Sequence, residues 1–337
     1  MSQYTHLSEP DPEFAAQLNR LLQSSSADLD IEAVREFFNQ DVSKRNEATY
    51  GRRLPHASEY QAQNHHLAVD GAEITLRSYT PIRDNEEAAD LPLLYWIHGG
   101  GWQIGNLETD DYFLRIICVQ FQIAVVNVDY RLVPEHKWPV SLNDAYAGLK
   151  WAARNASRLS VSLSKGFIVG GMSSGANMAA IIAHRVRDDP FFAERSFTGQ
   201  ILCIPLVVHP DAYPEEWKDE LRSLEEHKDA PILSKQGLYK WYEEYGVIPT
   251  DSECSPLLYP SHKGLAPAYI QVCGLDPLRD EGFLYERLLR DASVKTKLDF
   301  YPGVPHGFHI VWPDIQQAVK YEHDLMAGLA WLLGRGD

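Results

Sequence analysis

Phe167-Ile168-Val169 reads as a short buried strand and Met178-Ala179-Ala180-Ile181-Ile182 as the start of a buried helix, with Gly171-Met172-Ser173-Ser174-Gly175 between them. This is G-x-S-x-G at a point where a strand must turn sharply into a helix, the context that lifts a serine hydroxyl above a sheet edge. Gly171 and Gly175 have no Cβ, so they tolerate strained dihedrals and close approach of neighbouring backbone. Only Ser173 is in register, because Ser174 has Met172 and Ala176 at the flanking positions. The five-residue pattern alone is weak, since glycine and serine are common, and a turn without chemistry would satisfy it. The rest of the chain decides.

Around that turn, apolar segments alternate with helical ones. Leu91 to Ile97, Ile123 to Val128, Ile201 to Val208, Ala268 to Gly274 and Lys297 to Tyr301 read as strands. Asp110 to Phe121, Ser141 to Arg154, Glu281 to Asp291 and a closing amphipathic segment from Asp314 to Leu333 read as helices. Strands that are apolar on both faces belong to a parallel sheet covered on both sides, so the expected fold is α/β, a doubly wound, mostly parallel sheet. A hairpin around Asp70-Gly71, within His65 to Thr80, precedes it.

Two stretches break the rhythm. Residues 1–60 are polar and carry helix-like segments at Asp11 to Gln23 and Asp30 to Phe38, the second capped by Asp28 or Asp30 and showing Ile31, Val34, Phe37 and Phe38 at helical spacing. That face is either a brace on the core or part of a lid. After His209, residues up to about 250 place Trp217, Tyr239, Trp241, Tyr242 and Tyr245 among charges and prolines, an insertion of the length that forms lids or binding loops. The expected organisation is a cap from 1–60 and 209–250 over a core from 61–208 and 251–337.

Composition excludes several function classes. Against 31 Lys and Arg stand 47 Asp and Glu, a formal charge of −16 spread along the chain, which argues against a nucleic-acid or anionic-membrane partner. Cys118, Cys203, Cys254 and Cys273 are scattered without C-x-x-C spacing, as in a reduced compartment. No stretch approaches a membrane span, and the first residues lack a basic flank and apolar run. A cytoplasmic enzyme with a small-molecule substrate, no cofactor and no metal is expected, with a homodimer left open.

The chemistry comes from three further places. His98-Gly99-Gly100-Gly101-Trp102 follows a core strand, and consecutive glycines there offer backbone N–H groups to an anionic oxygen. A serine hydroxyl needs a base, and the base needs a carboxylate to fix its tautomer; Ser173, Asp276 and His306 occur in that order, each just after a strand. The loop from Asp129 to His136 is read as a charged turn in which Arg131 and Glu135 pin neighbouring loops, in preference to a wall of the site.

HGGGW, DYRLVPEHKWP, G-x-S-x-G, DPLRDEG and HGF, in this order and at these separations, resemble the hormone-sensitive-lipase-like (family IV) branch of the α/β-hydrolases over roughly residues 60–337. The resemblance implies an eight-stranded sheet with a two-part helical cap. It implies Ser173 as nucleophile, Asp276 rather than Asp280 as the acid, and His306 as base, with Gly100, Gly101 and Ser174 as oxyanion donors. Trp102, Met172, Trp217, Trp241 and Phe308 are the candidate pocket residues. One departure stands out: the family commonly reads GDSAG where this chain reads GMSSG, so Met172 replaces a carboxylate beside the nucleophile. Fungal esterases of polyketide pathways look similar in this segment. The activity implied is hydrolysis of small to medium carboxylic esters. An arylformamidase-type amide hydrolase, a lactonase and an acyltransferase would use the same triad. A non-catalytic capped ligand-binding protein like the gibberellin receptor, which lost its catalytic histidine, is disfavoured by His306.

Overall fold

In the computed structural model, residues 2–21, 30–83 and 90–336 are described. The chain runs through α1 (Pro12–Leu21), α2 (Ile31–Tyr50), β1 (Tyr60–Val69), β2 (Ala72–Pro81), β3 (Leu93–Ile97), α3 (Asp111–Phe121), β4 (Ala124–Asp129) and α4 (Val140–Arg154). It continues with β5 (Phe167–Met172), α5 (Ser174–Asp188), β6 (Gly199–Cys203), α6 (Ser223–Glu226) and α7 (Lys235–Tyr245). It ends with β7 (Ala268–Cys273), α8 (Arg279–Asp291), β8 (Thr296–Tyr301), α9 (Phe308–Val311) and α10 (Gln316–Leu332). The eight strands form one sheet in the order β1-β2-β4-β3-β5-β6-β7-β8. β1, β2 and β4 pair antiparallel in sequence, and every later pairing is parallel.

The doubly apolar strands explain the layers. Along β3, Leu93, Tyr95 and Ile97 pack into one core with residues of α4, α5 and α8, while Leu94 and Trp96 pack into the other with residues of α3 and α10. All five side chains are buried. β5 lies mid-sheet between β3 and β6, so whatever its C-terminal turn presents emerges at the centre of the sheet's edge.

Two of the expected boundaries that differ do so for identifiable reasons. The strand expected over 201–208 ends at Cys203, because Ile204 takes φ 44° and the chain leaves the ladder. The helix expected to end at Phe38 runs on to Tyr50. Its second half is polar and is held by side-chain bonds to backbone: Arg45 Nη1 donates to Ile310 O at 3.2 Å and Asn46 Nδ2 to Glu108 O at 3.1 Å. Asp30 caps it, its carboxylate accepting from Ala33 N at 2.8 Å. Gln23, Asp28 and the acidic stretch 84–89 lie outside the described residues.

The N-terminal segment makes two separate sets of contacts. Residues 2–11 brace the core, with Gly303 N donating to Leu7 O at 2.8 Å and Asp11 N to Gly303 O at 3.0 Å. Helix α2 instead reaches over the sheet edge. Arg35 donates to Gln103 O at 2.7 Å and Val133 O at 2.6 Å, and clasps Glu135 at 2.7 and 2.8 Å. That clasp holds the Glu135 carboxyl down at about 2. Arg131 in the same loop grips Asp144 at 2.7 and 2.8 Å, so this turn does pin its neighbours. Among the described residues all four cysteines are free and buried, and no helix is long and apolar enough to cross a membrane.

Candidate active site

Ser173 has φ 53° and ψ −119°, a conformation L residues rarely adopt, and it sits between the last residue of β5 and the first of α5. The turn is possible because a Cβ at Gly175 would lie 2.1 Å from Ile97 O, so only glycine lets α5 start so close to β3. The strain aims the Ser173 hydroxyl out of the sheet edge, where His306 Nε2 lies 2.9 Å from Oγ. His306 Nδ1 lies 2.7 Å from Asp276 Oδ2. The other carboxylate oxygen of Asp276 accepts from Leu278 N at 2.9 Å, fixing its plane. All three side chains are buried, the serine 6% exposed and the aspartate 1%, so their interactions are little screened by water.

The loops that carry Asp276 and His306 are tied together. Gly274 N donates to Tyr301 O at 2.8 Å and Leu275 N to Val304 O at 3.0 Å, which continues the β7–β8 pairing past the strand ends. Asp280, the acid set aside in the sequence, faces away; its carboxylate accepts from Arg222 N at 2.9 Å, Ser223 N at 2.8 Å and Ser2 Oγ at 2.9 Å.

Beside Ser173, the glycine loop is folded back on itself. Gly100 has φ 120° and Gly101 φ 59°, and Gln103 N and Ile104 N both donate to Gly100 O at 3.1 Å. His98 anchors the loop from within, its Nδ1 2.8 Å from Gly99 O and its ring stacked on Tyr130 at 4.3 Å. Burial pulls His98 down to about 4, so the ring is neutral at ordinary pH.

A pocket of about 640 Å³, part of it open to solvent, is lined by Gly99, Gly100, Gly101, Ser173 and His306 together with a largely apolar wall. Of the candidate pocket residues, Met172 and Trp241 line it. The other three lie elsewhere. Trp102 has φ 61°, which turns its ring back under the loop to stack on Tyr245 at 4.3 Å. Phe308 is fully buried against Tyr301 and Tyr321. Trp217 packs on the core from a short turn of 3₁₀-helix. The wall instead includes Phe38 of α2, Ile104, Ile232, Ile310 and Val311, and Asp110. Ile310 and Val311 were the most accessible to sequence reasoning, since they follow His306-Gly307-Phe308 within one helical turn. Phe38 comes from α2 and Ile232 from the stretch between α6 and α7, and neither carries a local signal.

A family model described as alpha/beta hydrolase fold matches residues 94–310. An AB hydrolase superfamily protein of Schizosaccharomyces pombe is 37% identical over 265 residues, covering 78% of this chain and 77% of that protein. A versiconal hemiacetal acetate esterase of Dothistroma septosporum is 35% identical over 251 residues, covering 74% of this chain and 76% of its own. Among solved structures, a vibralactone cyclase superposes with a TM-score of 0.94 at 42% identity, over 98% of this chain and 96% of that one. An esterase from Pyrobaculum calidifontis superposes with a TM-score of 0.81 at 29% identity, over 96% of this chain and 99% of that one.

Proposed function

Because this chain belongs to the alpha/beta hydrolase family, matched across residues 94–310, we propose that it is a serine carboxylic ester hydrolase acting on small to medium acyl esters. The observation that carries this reading is the unbroken relay from Ser173 Oγ through His306 to Asp276, at 2.9 and 2.7 Å.

In the proposed reaction, Ser173 Oγ attacks the ester carbonyl carbon while its proton passes to His306 Nε2. The carbonyl oxygen becomes an oxyanion facing the backbone N–H groups of Gly100, Gly101 and Ser174, which are fixed before the reaction begins. Collapse breaks the bond to the alcohol oxygen, and His306 returns its proton to that oxygen. Water then attacks the acyl-enzyme, giving a proton to His306; the second collapse frees the acid and restores the serine hydroxyl. Asp276 stabilises the imidazolium and holds Nδ1 as the protonated nitrogen throughout.

The test is hydrolysis of nitrophenyl acetate and butyrate together with fluorophosphonate labelling. Wild type is expected to turn over and to label, and Ser173→Ala to do neither. Full labelling of Ser173→Ala would refute the assignment.

The likeness to a structure named as a cyclase favours one second reading. In a largely apolar pocket, a hydroxyl borne by the acyl group can replace water in the second step and give a lactone. Mass analysis of products from hydroxyacyl esters separates the two, since the lactone lacks the elements of water that the hydroxy acid carries.

A further inference from the structure

A second cavity, about 690 Å³ and partly open to solvent, borders the catalytic pocket at Met172. The two share Thr109, Asp110, Met172 and Ile310 as a common wall. The second cavity has aromatic walls, including Tyr50, Trp96, Phe113 and Tyr321. His309 also lines it, stacked on Tyr321 at 4.0 Å, and neither of its ring nitrogens has a hydrogen-bond partner among the described residues. A buried polar group left without a partner is costly, so an imidazole with both nitrogens unused calls for a ligand or water to complete it.

We propose that this cavity is a side chamber of the ester site, that Met172 is the movable partition between the two, and that the chamber receives a flat, neutral, oxygen-bearing aromatic ring of the substrate, hydrogen-bonded by His309. The inference rests on the ester-hydrolase reading and narrows its substrate class.

Each part has its own support. Met172 lines both cavities, and methionine is the unbranched, adaptable residue that can swing without leaving a charge exposed. The charges at the rim are already paired, Arg45 with Asp41 and Glu322 with Arg53, so they do not favour an ionic ligand. Burial lowers His309 to about 3, leaving a neutral ring with one N–H to donate and one nitrogen to accept, which suits a phenol or a ring carbonyl. Asp110, on the shared wall, is raised to about 6 by burial, and accepts from Trp96 Nε1 at 2.7 Å. Stacking surfaces on several sides fit a ring better than a flexible alkyl chain.

The experiment compares the nitrophenyl esters of 3-(4-hydroxyphenyl)propanoate, 3-phenylpropanoate and acetate, with hydroxybenzyl and benzyl acetates covering a ring on the alcohol side. In wild type, the hydroxyl-bearing member of at least one pair is expected to have a kcat/KM about tenfold above its plain partner, the size of one good hydrogen bond. His309→Leu is expected to bring that ratio close to one, and His309→Asn to restore part of it. A folding defect would lower both members together and leave the ratio unchanged. Met172→Phe, which stiffens and fills the partition, is expected to depress the ring-bearing esters relative to acetate. Hydroxyl ratios near one in wild type, or ratios untouched by His309→Leu, would overturn the proposal while leaving acetate turnover, and so the esterase reading, intact. If no ester is cleaved, the esterase reading fails instead. Calorimetric binding of methyl 3-(4-hydroxyphenyl)propanoate to Ser173→Ala, and its loss in Ser173→Ala with His309→Leu, then decides the chamber separately.

Discussion

Gly71, Gly100 and Gly101 all have positive φ, at 68°, 120° and 59°, yet alanine at each should do something different. At Gly71, in the β1–β2 turn, an added Cβ meets nothing within 4 Å among the described residues. The cost is that of a left-handed L residue, about 1–2 kcal/mol, paid in stability alone. At Gly101 the dihedral is again one an L residue can reach, and the Cβ would lie 2.7 Å from the Trp241 ring, a side chain of α7 able to give way. Gly101→Ala should therefore raise KM more than it lowers kcat. At Gly100 the dihedral is one that only glycine adopts readily, and the Cβ would lie 2.1 Å from Ile104 O, which is backbone. Relief requires either breaking the turn bonds from Gln103 N and Ile104 N to Gly100 O, or rotating Gly100 so that its own N–H leaves the proposed oxyanion position.

Under the proposed mechanism either route removes a transition-state donor, and one such donor is worth about 10²–10³ in kcat, or roughly 3–4 kcal/mol. Steady-state kinetics on nitrophenyl butyrate, with thermal unfolding of each variant, gives the comparison. The expected order of kcat is Gly71→Ala equal to wild type, Gly101→Ala somewhat lower, and Gly100→Ala lower by at least about 10². If folded Gly100→Ala keeps kcat within about threefold of wild type, the loop is not the oxyanion cradle and the reasoning fails.

Two further outcomes follow from α2 and the shared wall. Arg35→Ala removes the bonds from α2 to Gln103 O and Val133 O; since Glu135 is half exposed and its pairing is worth little, a net loss of about 1 kcal/mol should appear as a roughly fivefold higher KM with little change in Tm, read by kinetics and calorimetry. Asp110 is held at about 6 against an ordinary 3.8, so the folded state keeps its proton where the unfolded chain has lost it; its favourable contribution is complete below about 3.8 and is lost as pH rises to about 6. Asp110→Asn should gain stability relative to wild type across that interval and run parallel to it above, in denaturant titrations at several pH values; a constant offset from pH 3 to 8 would contradict the raised pKa.

How far the sequence could be read depended on whether a residue's position follows from its own neighbours. Ser173, Asp276 and His306 each stand just past a strand, so the topology of a parallel sheet brings them to one edge; the alternation of apolar segments indicates such a sheet but not the order of its strands. The aromatic pocket residues had no such constraint. Trp102 is two residues from Gly100, yet one positive φ sends its ring beneath the loop, and nothing in the string HGGGW announces that. Helix α2 was cut short because its C-terminal half is stabilised by side chain to backbone bonds from Arg45 and Asn46, which leave no apolar periodicity to detect.

The same division separates chemistry from selectivity. The relay and the glycine loop are fixed by close backbone approaches around β3 and β5, where even a methyl group has no room, so sequence change there is confined. The walls come from α2, the segment around Ile232, α7 and the helix after His306, elements that touch the sheet edge through side chains and loop carbonyls. Met172 sits at the junction: its backbone belongs to the confined turn, while its side chain belongs to the wall of both cavities. A change at that position can therefore redraw the space a substrate occupies without moving the hydroxyl that attacks it, which is why a sequence can depart from the usual pattern beside its nucleophile and still keep the relay at hydrogen-bonding distance.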